Sequence, residues 1–348
     1  MMKEAVKYLP NAMVGKDYAI ELERLGGLPP LRIGLGSLLG LVYEPDTGRL
    51  RGSPKGPGEY DIVVLYDEVR PEFNQTYRLI VNPNPSDLWN NRPSGEDDAN
   101  HRTLHTEYGK MVGAMRRGKL HAHYGEPSDD AFEIAVWENA FFAAVADGAG
   151  SAKYSRAAAR LAANASVSET MRRFQNGSDL RAALTAGVEA AKNALEALQR
   201  RYDSTREDGY TTLTLLCAVK SGEAWRVGVF SVGDGGAAAV CPQNFRLLTE
   251  KDSGDYCGQT LFLQHEVNPA SRITEHTFAA PIFLVMATDG LLDPLGLCKN
   301  ADRENWVGLK QTLRDELALD GEKIVEWLGF HARGHHDDRT LVVLTDVA

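Results

Sequence analysis

Apolar and polar positions change rhythm along the chain. Up to about residue 100 the apolar residues come in short runs closed by turn signals. The run 38–43 ends at Glu44-Pro45-Asp46-Thr47-Gly48, and a second turn spans Gly52 to Gly58. The stretches 60–66 and 77–81 are rich in β-branched and aromatic residues, and short strands at this spacing predict a small β-sandwich over 1–82. From 83 to 108, Pro, Asn, Ser and the acidic Glu96-Asp97-Asp98 predict a linker, with Trp89 as a packing anchor. Beyond it, 141–146 reads as a buried strand and the Ala-rich 156–165 as a helix. Leu180, Leu184, Val188, Ala191, Leu195, Leu198 and Tyr202 recur at helical steps after the breaker and cap Gly177-Ser178-Asp179. Strand-like runs follow at 211–219, 225–232 and 282–287. Next come two helical patterns (Trp306, Leu309, Leu313, Leu317; then Ile324, Leu328) and a last strand at 340–344. That order predicts an α+β domain over 109–348 rather than alternating βαβ units.

Composition narrows the function classes. The chain has 348 residues, 43% of them apolar and 25% charged, which suits a two-domain globular protein. Lys and Arg number 38 against 48 Asp and Glu, a formal charge of −10 that disfavours a general nucleic-acid binder, a nuclease or an anionic membrane surface. Cys217, Cys241, Cys257 and Cys298 form no CxxC pair, which predicts a reducing compartment and no structural zinc. With no apolar leader segment near the start and no run long enough to span a membrane, the expected location is cytoplasmic.

Carboxylates recur where strands end. Ala146-Asp147-Gly148-Ala149-Gly150 follows one strand, Thr288-Asp289-Gly290 follows another, and His336-Asp337-Asp338-Arg339-Thr340 precedes the last. Asp129-Asp130 stands just before the run from Phe132. Alone, an Asp-Gly is a turn. Several carboxylates meeting at one sheet rim make an all-oxygen site, which favours magnesium, manganese or calcium over zinc or copper. Asp234, in Gly233-Asp234-Gly235, reads as a turn between strands.

The order of these pieces resembles the metal-dependent type-2C serine/threonine protein phosphatases. The matching segments are Ser128-Asp129-Asp130, 145–150, Tyr210-Thr211-Thr212-Leu213, 231–235, 287–293 and 337–343; the segment 118–130 looks like the bacterial branch. The resemblance implies a central β-sandwich with helices on both faces and a dinuclear manganese or magnesium site. In it Asp147 bridges the metals, Gly148 gives its carbonyl, Asp289 and Asp337 complete the set, and Asp129 and Asp130 hold metal-bound water. It implies hydrolysis of phosphoprotein monoesters by a metal-bridging hydroxide, water's pKa falling from about 15.7 toward neutrality. A third metal would fall to Asp208, with Glu207 second. The pieces 9–18 and 51–60 resemble bacterial immunoglobulin-like modules, implying a partner or placement domain, with a cognate kinase as one partner.

Three departures stand out. The family's phosphate-binding Arg falls at Gly125, leaving Arg116, Arg117, His121 and His123 as candidates, of which Arg117 is the nearest arginine to the rim. The His that eukaryotic members carry is Ala149. The last motif reads Asp337-Asp338, with Asp337 the aligned ligand and Asp338 able to exchange with it. A flap is expected near 249–262, with Gly254, Cys257 and Gly258. The competing reading is a catalytically silent phosphatase-like binding or regulatory module; a calcium-stabilised structural protein is a third.

Overall fold

A computed structural model describes residues 6–22, 30–34, 40–56, 58–67, 74–82, 90–241, 245–250, 252, 260–265, 267–297 and 303–346. Trp89, Gly254, Cys257, Gly258, Cys298 and the first residues of the 38–43 run lie outside them. Chain contacts divide into two units, 1–90 and 91–348.

The first unit is all-β. Its strands are β1 (Lys7–Tyr8), β2 (Ala12–Met13), β3 (Tyr18–Glu21), β4 (Arg32–Gly34), β5 (Leu41–Glu44), β6 (Arg49–Gly52), β7 (Gly58–Leu65) and β8 (Gln75–Asn82). One sheet runs β1-β8-β7-β4 with β2 also on β8, and a second runs β3-β6-β5. Alternate residues of β7 and β8 (Ile62, Val64, Tyr77, Leu79 and Val81) point into a core shared with Leu41 and Leu50 of the smaller sheet.

The second unit begins earlier than composition suggests. The 83–108 linker reading fails in its second half, because β9 (Ala99–Thr106) pairs along its whole length with β10 (Gly109–Arg116). Its polar composition reflects an edge strand with mostly exposed side chains. The remaining elements are α1 (Lys119–Tyr124), β11 (Asp130–Trp137), β12 (Ala140–Asp147), α2 (Ser155–Gln175), α3 (Leu180–Tyr202), β13 (Leu213–Ser221), β14 (Ala224–Val232), β15 (Gly236–Val240), β16 (Phe245–Leu247), α4 (Pro269–Arg272), β17 (Ile273–Ala279), β18 (Phe283–Ala287), α5 (Asp289–Leu292), α6 (Arg303–Gln311), α7 (Gly321–Leu328) and β19 (Arg339–Thr345). Two antiparallel sheets, β16-β15-β18-β19-β10-β9 and β11-β12-β13-β14-β17, stack face to face.

Strand β12 shows why its apolar run is unbroken. Phe141, Ala143 and Val145 face the opposing sheet, while Phe142, Ala144 and Ala146 face α2 and α3. On the far side, Val112, Phe283, Leu341 and Val343 pack under Trp306, Leu309, Ile324 and Leu328 of α6 and α7. The α+β sandwich with helices on both faces is therefore the observed architecture. Helix α2 runs past the predicted 156–165, and its buried face is nearly all small: Ala158, Ala159, Ala162, Ala163 and Ser166. Small residues let α3 come close, and at Gly187 an added Cβ would lie 2.0 Å from Thr170 Oγ1.

Phe141 is fully buried between the sheets, 5.7 Å from the Trp225 ring. Truncation to Ala leaves a cavity in a closely packed layer, and Phe141→Ala is expected to cost about 3–5 kcal/mol, read from the shift in urea midpoint at constant slope.

Candidate metal centre

Strand ends gather the carboxylates. Strand β11 starts at Asp130 and β12 ends at Asp147, and their antiparallel register sets the two opposite each other. Strand β14 ends at Val232, two residues before Asp234, and β18 ends at Ala287, two residues before Asp289. Asp337 and Asp338 precede β19, which lies between β18 and β10. Carboxylate oxygens of Asp147, Asp234 and Asp289 fall within 4.8 Å of one another.

Asp234 is therefore more than the turn residue its sequence context suggests. Its Oδ2 accepts a hydrogen bond from Thr260 Oγ1 at 2.7 Å, while Oδ1 is buried with no hydrogen-bond partner. An orphaned carboxylate oxygen facing two other carboxylates is costly in the protein alone. A divalent cation would satisfy it, and the all-oxygen donor set fits magnesium, manganese or calcium.

The electrostatics carry the same strain. Removal from water, then the neighbouring Asp130 and Asp289 charges, lifts Asp147 well above the usual carboxylate range. Burial and Asp338 do the same to Asp130. Asp289 is pushed up to about 7 by burial and by the Asp234 and Asp337 charges.

The backbone around these groups is pinned. Thr212 N–H and Thr211 Oγ1 donate to the Asp147 carbonyl at 2.8 and 3.0 Å, and Gly148 N–H donates to the Asp129 carbonyl at 3.2 Å. Asp130 Oδ2 accepts from Thr288 Oγ1 at 2.8 Å, and that oxygen accepts from Thr340 N–H at 3.2 Å. Asp129 Oδ2 accepts from Ser155 Oγ at 2.9 Å and lies 3.6 Å from His121 Nε2.

The last acidic pair divides its labour. Asp338 is buried; its Oδ1 accepts from Gly118 N–H at 2.6 Å and its Oδ2 from Asp129 N–H at 2.7 Å. The same Oδ2 lies 2.9 Å from His121 Nδ1, and this contact pushes the imidazole up to about 9 against the effect of burial. Asp338 thus fastens the early segment to the last strand, while Asp337 faces solvent.

Two candidate site residues point away from the carboxylates. Arg117, the candidate phosphate clamp, is engaged elsewhere. Its side chain is buried and donates to the Glu126 and Arg92 carbonyls, Asn91 Oδ1 and Asp98 Oδ2 at 2.8–3.1 Å. Arg116 is likewise directed to the Val325 and Glu326 carbonyls. Asp208 does not join the carboxylates. Its Oδ2 caps a turn by accepting from Thr205 N–H and Oγ1 at 2.9 and 3.1 Å. The missed signal was in plain view: Asp234 follows a buried strand beside glycines, the same design as Asp147 and Asp289.

A cavity of about 900 Å³ adjoins Asp234, with Arg272, His276 and Trp306 among its lining residues.

Two outcomes follow from this wiring. In chelator, the raised Asp289 and His121 both contribute stability that is present at low pH and lost as pH rises, through about 7 and about 9 respectively. The metal-free melting temperature should fall between pH 5 and 8, and Asp289→Asn should flatten the part of that fall below pH 7. Arg117→Ala should cost about 1–3 kcal/mol through its lost charge-assisted hydrogen bonds, leaving KM per folded molecule unchanged in kinetic assays.

A family model described as protein phosphatase 2C matches residues 117–329, which takes in Asp129, Asp147, Asp234 and Asp289 and stops short of Asp337. A search of curated proteins gives no match. Among solved structures, a phosphatase from Toxoplasma gondii is 12% identical, with 71% of this chain and 95% of that chain covered and a TM-score of 0.49. The Mycobacterium tuberculosis serine/threonine phosphatase PstP/Ppp is 18% identical, with 71% and 98% covered and a TM-score of 0.41. The PstP catalytic domain in complex with two manganese ions is 19% identical, with 71% and 98% covered and a TM-score of 0.45. The family match extends over more than half of the sequence, and the chain belongs to the protein phosphatase 2C family.

Proposed function

We propose that this site hydrolyses phosphoserine and phosphothreonine in proteins with magnesium or manganese. The carrying observation is the cluster of Asp147, Asp234 and Asp289 with the orphaned Asp234 Oδ1, in a chain of this family. Asp147, Asp234, Asp289 and the solvent-facing Asp337 would hold the cations. When bound, the ions supply the positive charge a phosphoryl dianion requires and lower the pKa of water. Asp130, held by Thr288, sits opposite Asp147 and can accept a proton at the base of the site. Asp129, oriented by Ser155 and His121, offers a second acceptor nearer the rim.

Arg116 and Arg117 both bond elsewhere, the one feature in keeping with the silent-module alternative, and turnover separates the two readings. The all-β unit, read as immunoglobulin-like over 1–82, would place the enzyme on a partner, such as the kinase whose product it reverses. Cytoplasmic residence is supported by the free Cys217 and Cys241; among the described residues no helix is long and apolar enough to cross a membrane.

With manganese, the full chain should hydrolyse phosphothreonine peptides and p-nitrophenyl phosphate, and excess chelator should abolish both activities. Asp147→Asn and Asp234→Asn should each lose at least about 100-fold in kcat/KM, since even groups that only orient metal ligands are worth 10–100-fold. Both variants should melt in chelator no lower than the parent, because each removes a repelling charge. Turnover that survives chelation would defeat the reading.

A further inference from the structure

In a protein of net charge −10, one edge of the site is basic. The connection between α7 and β19 carries His331, Arg333, His335 and His336 directly before Asp337. His335 N–H donates to the Ala332 carbonyl at 3.2 Å, and Gly334 has φ +82°, so a tight turn holds Arg333 at its exposed tip. Lys119 joins from α1, its Nζ 3.0 Å from His331 Nδ1, and Leu120 N–H donates to the His336 carbonyl at 3.0 Å. Among the described residues no carboxylate forms an ion pair with Lys119, His331, Arg333 or His335. Burial and Arg339 hold the Lys119 ammonium below its ordinary range. Lys119 and Arg333, two cations with no carboxylate ion-pair partner among the described residues, mark a place where an anion lowers the energy.

This basic edge is continuous with the carboxylate cluster. His336 is bonded in sequence to the solvent-facing Asp337, and Lys119 follows Gly118, whose N–H is held by Asp338. The turn thus runs directly into Asp337, and chain flanking a phosphorylated residue held at the carboxylates would reach it.

We propose that Lys119 and the 331–336 turn form a subsite for carboxylates flanking the phosphorylated residue, selecting acidic phosphoproteins as substrates. The proposal rests on the phosphatase reading above. Arg333 and Lys119 supply permanent charge, and the histidines supply donors between them. Because the contacts are exposed, the selection acts mainly on KM and weakens with salt.

The test uses the manganese-loaded full chain and phosphothreonine peptides with Glu, Ala or Lys flanks, beside p-nitrophenyl phosphate. Glu-flanked peptides should show the highest kcat/KM, with the preference collapsing at high salt. Arg333→Ala and Lys119→Gln should each lower that preference about two- to five-fold, the worth of an exposed ion pair. Arg333→Lys should retain it, and p-nitrophenyl phosphate kinetics should be unchanged. Equal kcat/KM across the panel, or a preference intact in the double variant, would overturn the proposal. A parallel rise in KM for p-nitrophenyl phosphate would overturn it too, by assigning the turn to the phosphoryl group itself. Fluorescence anisotropy of the labelled peptides reads the subsite without turnover, so an inactive protein that still prefers Glu flanks would reject only the phosphatase reading.

Discussion

Mutual repulsion among carboxylates at one end of the sandwich governs the rest of the site. Asp130, Asp147 and Asp289 are all lifted above their ordinary ionisation range by burial and by neighbouring carboxylates, and Asp234 keeps an oxygen with no donor. The surrounding backbone holds such a cluster in place. Thr211, Thr212, Thr288 and the Asp338 carboxylate fasten each strand end in place. The sheets supply rigidity, the hydroxyls supply aim, and the unbalanced charge creates affinity for hard cations. Stability and metal binding are therefore set against each other through the same oxygens.

Most of the architecture was legible in the sequence because strands buried on both faces write long apolar runs. Residues 141–146 and 340–344 are such runs, and the carboxylates at their ends stand out by contrast. Strand β9 was illegible for the opposite reason: as an exposed edge it carries Asn100, His101, Arg102 and His105, which read as a connector. Side-chain direction was the other blind spot. Arg117 is the nearest substitute in sequence for the clamp missing at Gly125, yet its guanidinium is directed to Asp98 and backbone carbonyls. Asp208 lies away from the carboxylate cluster and Asp234 within it, a difference the sequence hides because a turn cap and a candidate metal ligand use the same residue type. Only the position of Asp234 after a buried strand separates them.

Charge is distributed as well as balanced. The carboxylate cluster is ringed on one side by Lys119 and the 331–336 turn, and Arg246, Arg272 and His276 border the cavity beside Asp234. An acidic surface elsewhere disfavours non-specific contact with polyanions, while local cations near the mouth focus the field on the site itself.

Strand β19 sits in the middle of its sheet, between β10 and β18, although it comes last among the described elements. During synthesis the β9–β10 pair and the β15–β16–β18 group must wait as separate fragments, each exposing an unpaired edge, until residues 339–345 leave the ribosome. Asp337 and the Asp338 fastening arrive with that same strand. A nascent chain therefore carries Asp130, Asp147, Asp234 and Asp289 before the segment that fastens Gly118 and Asp129 has emerged.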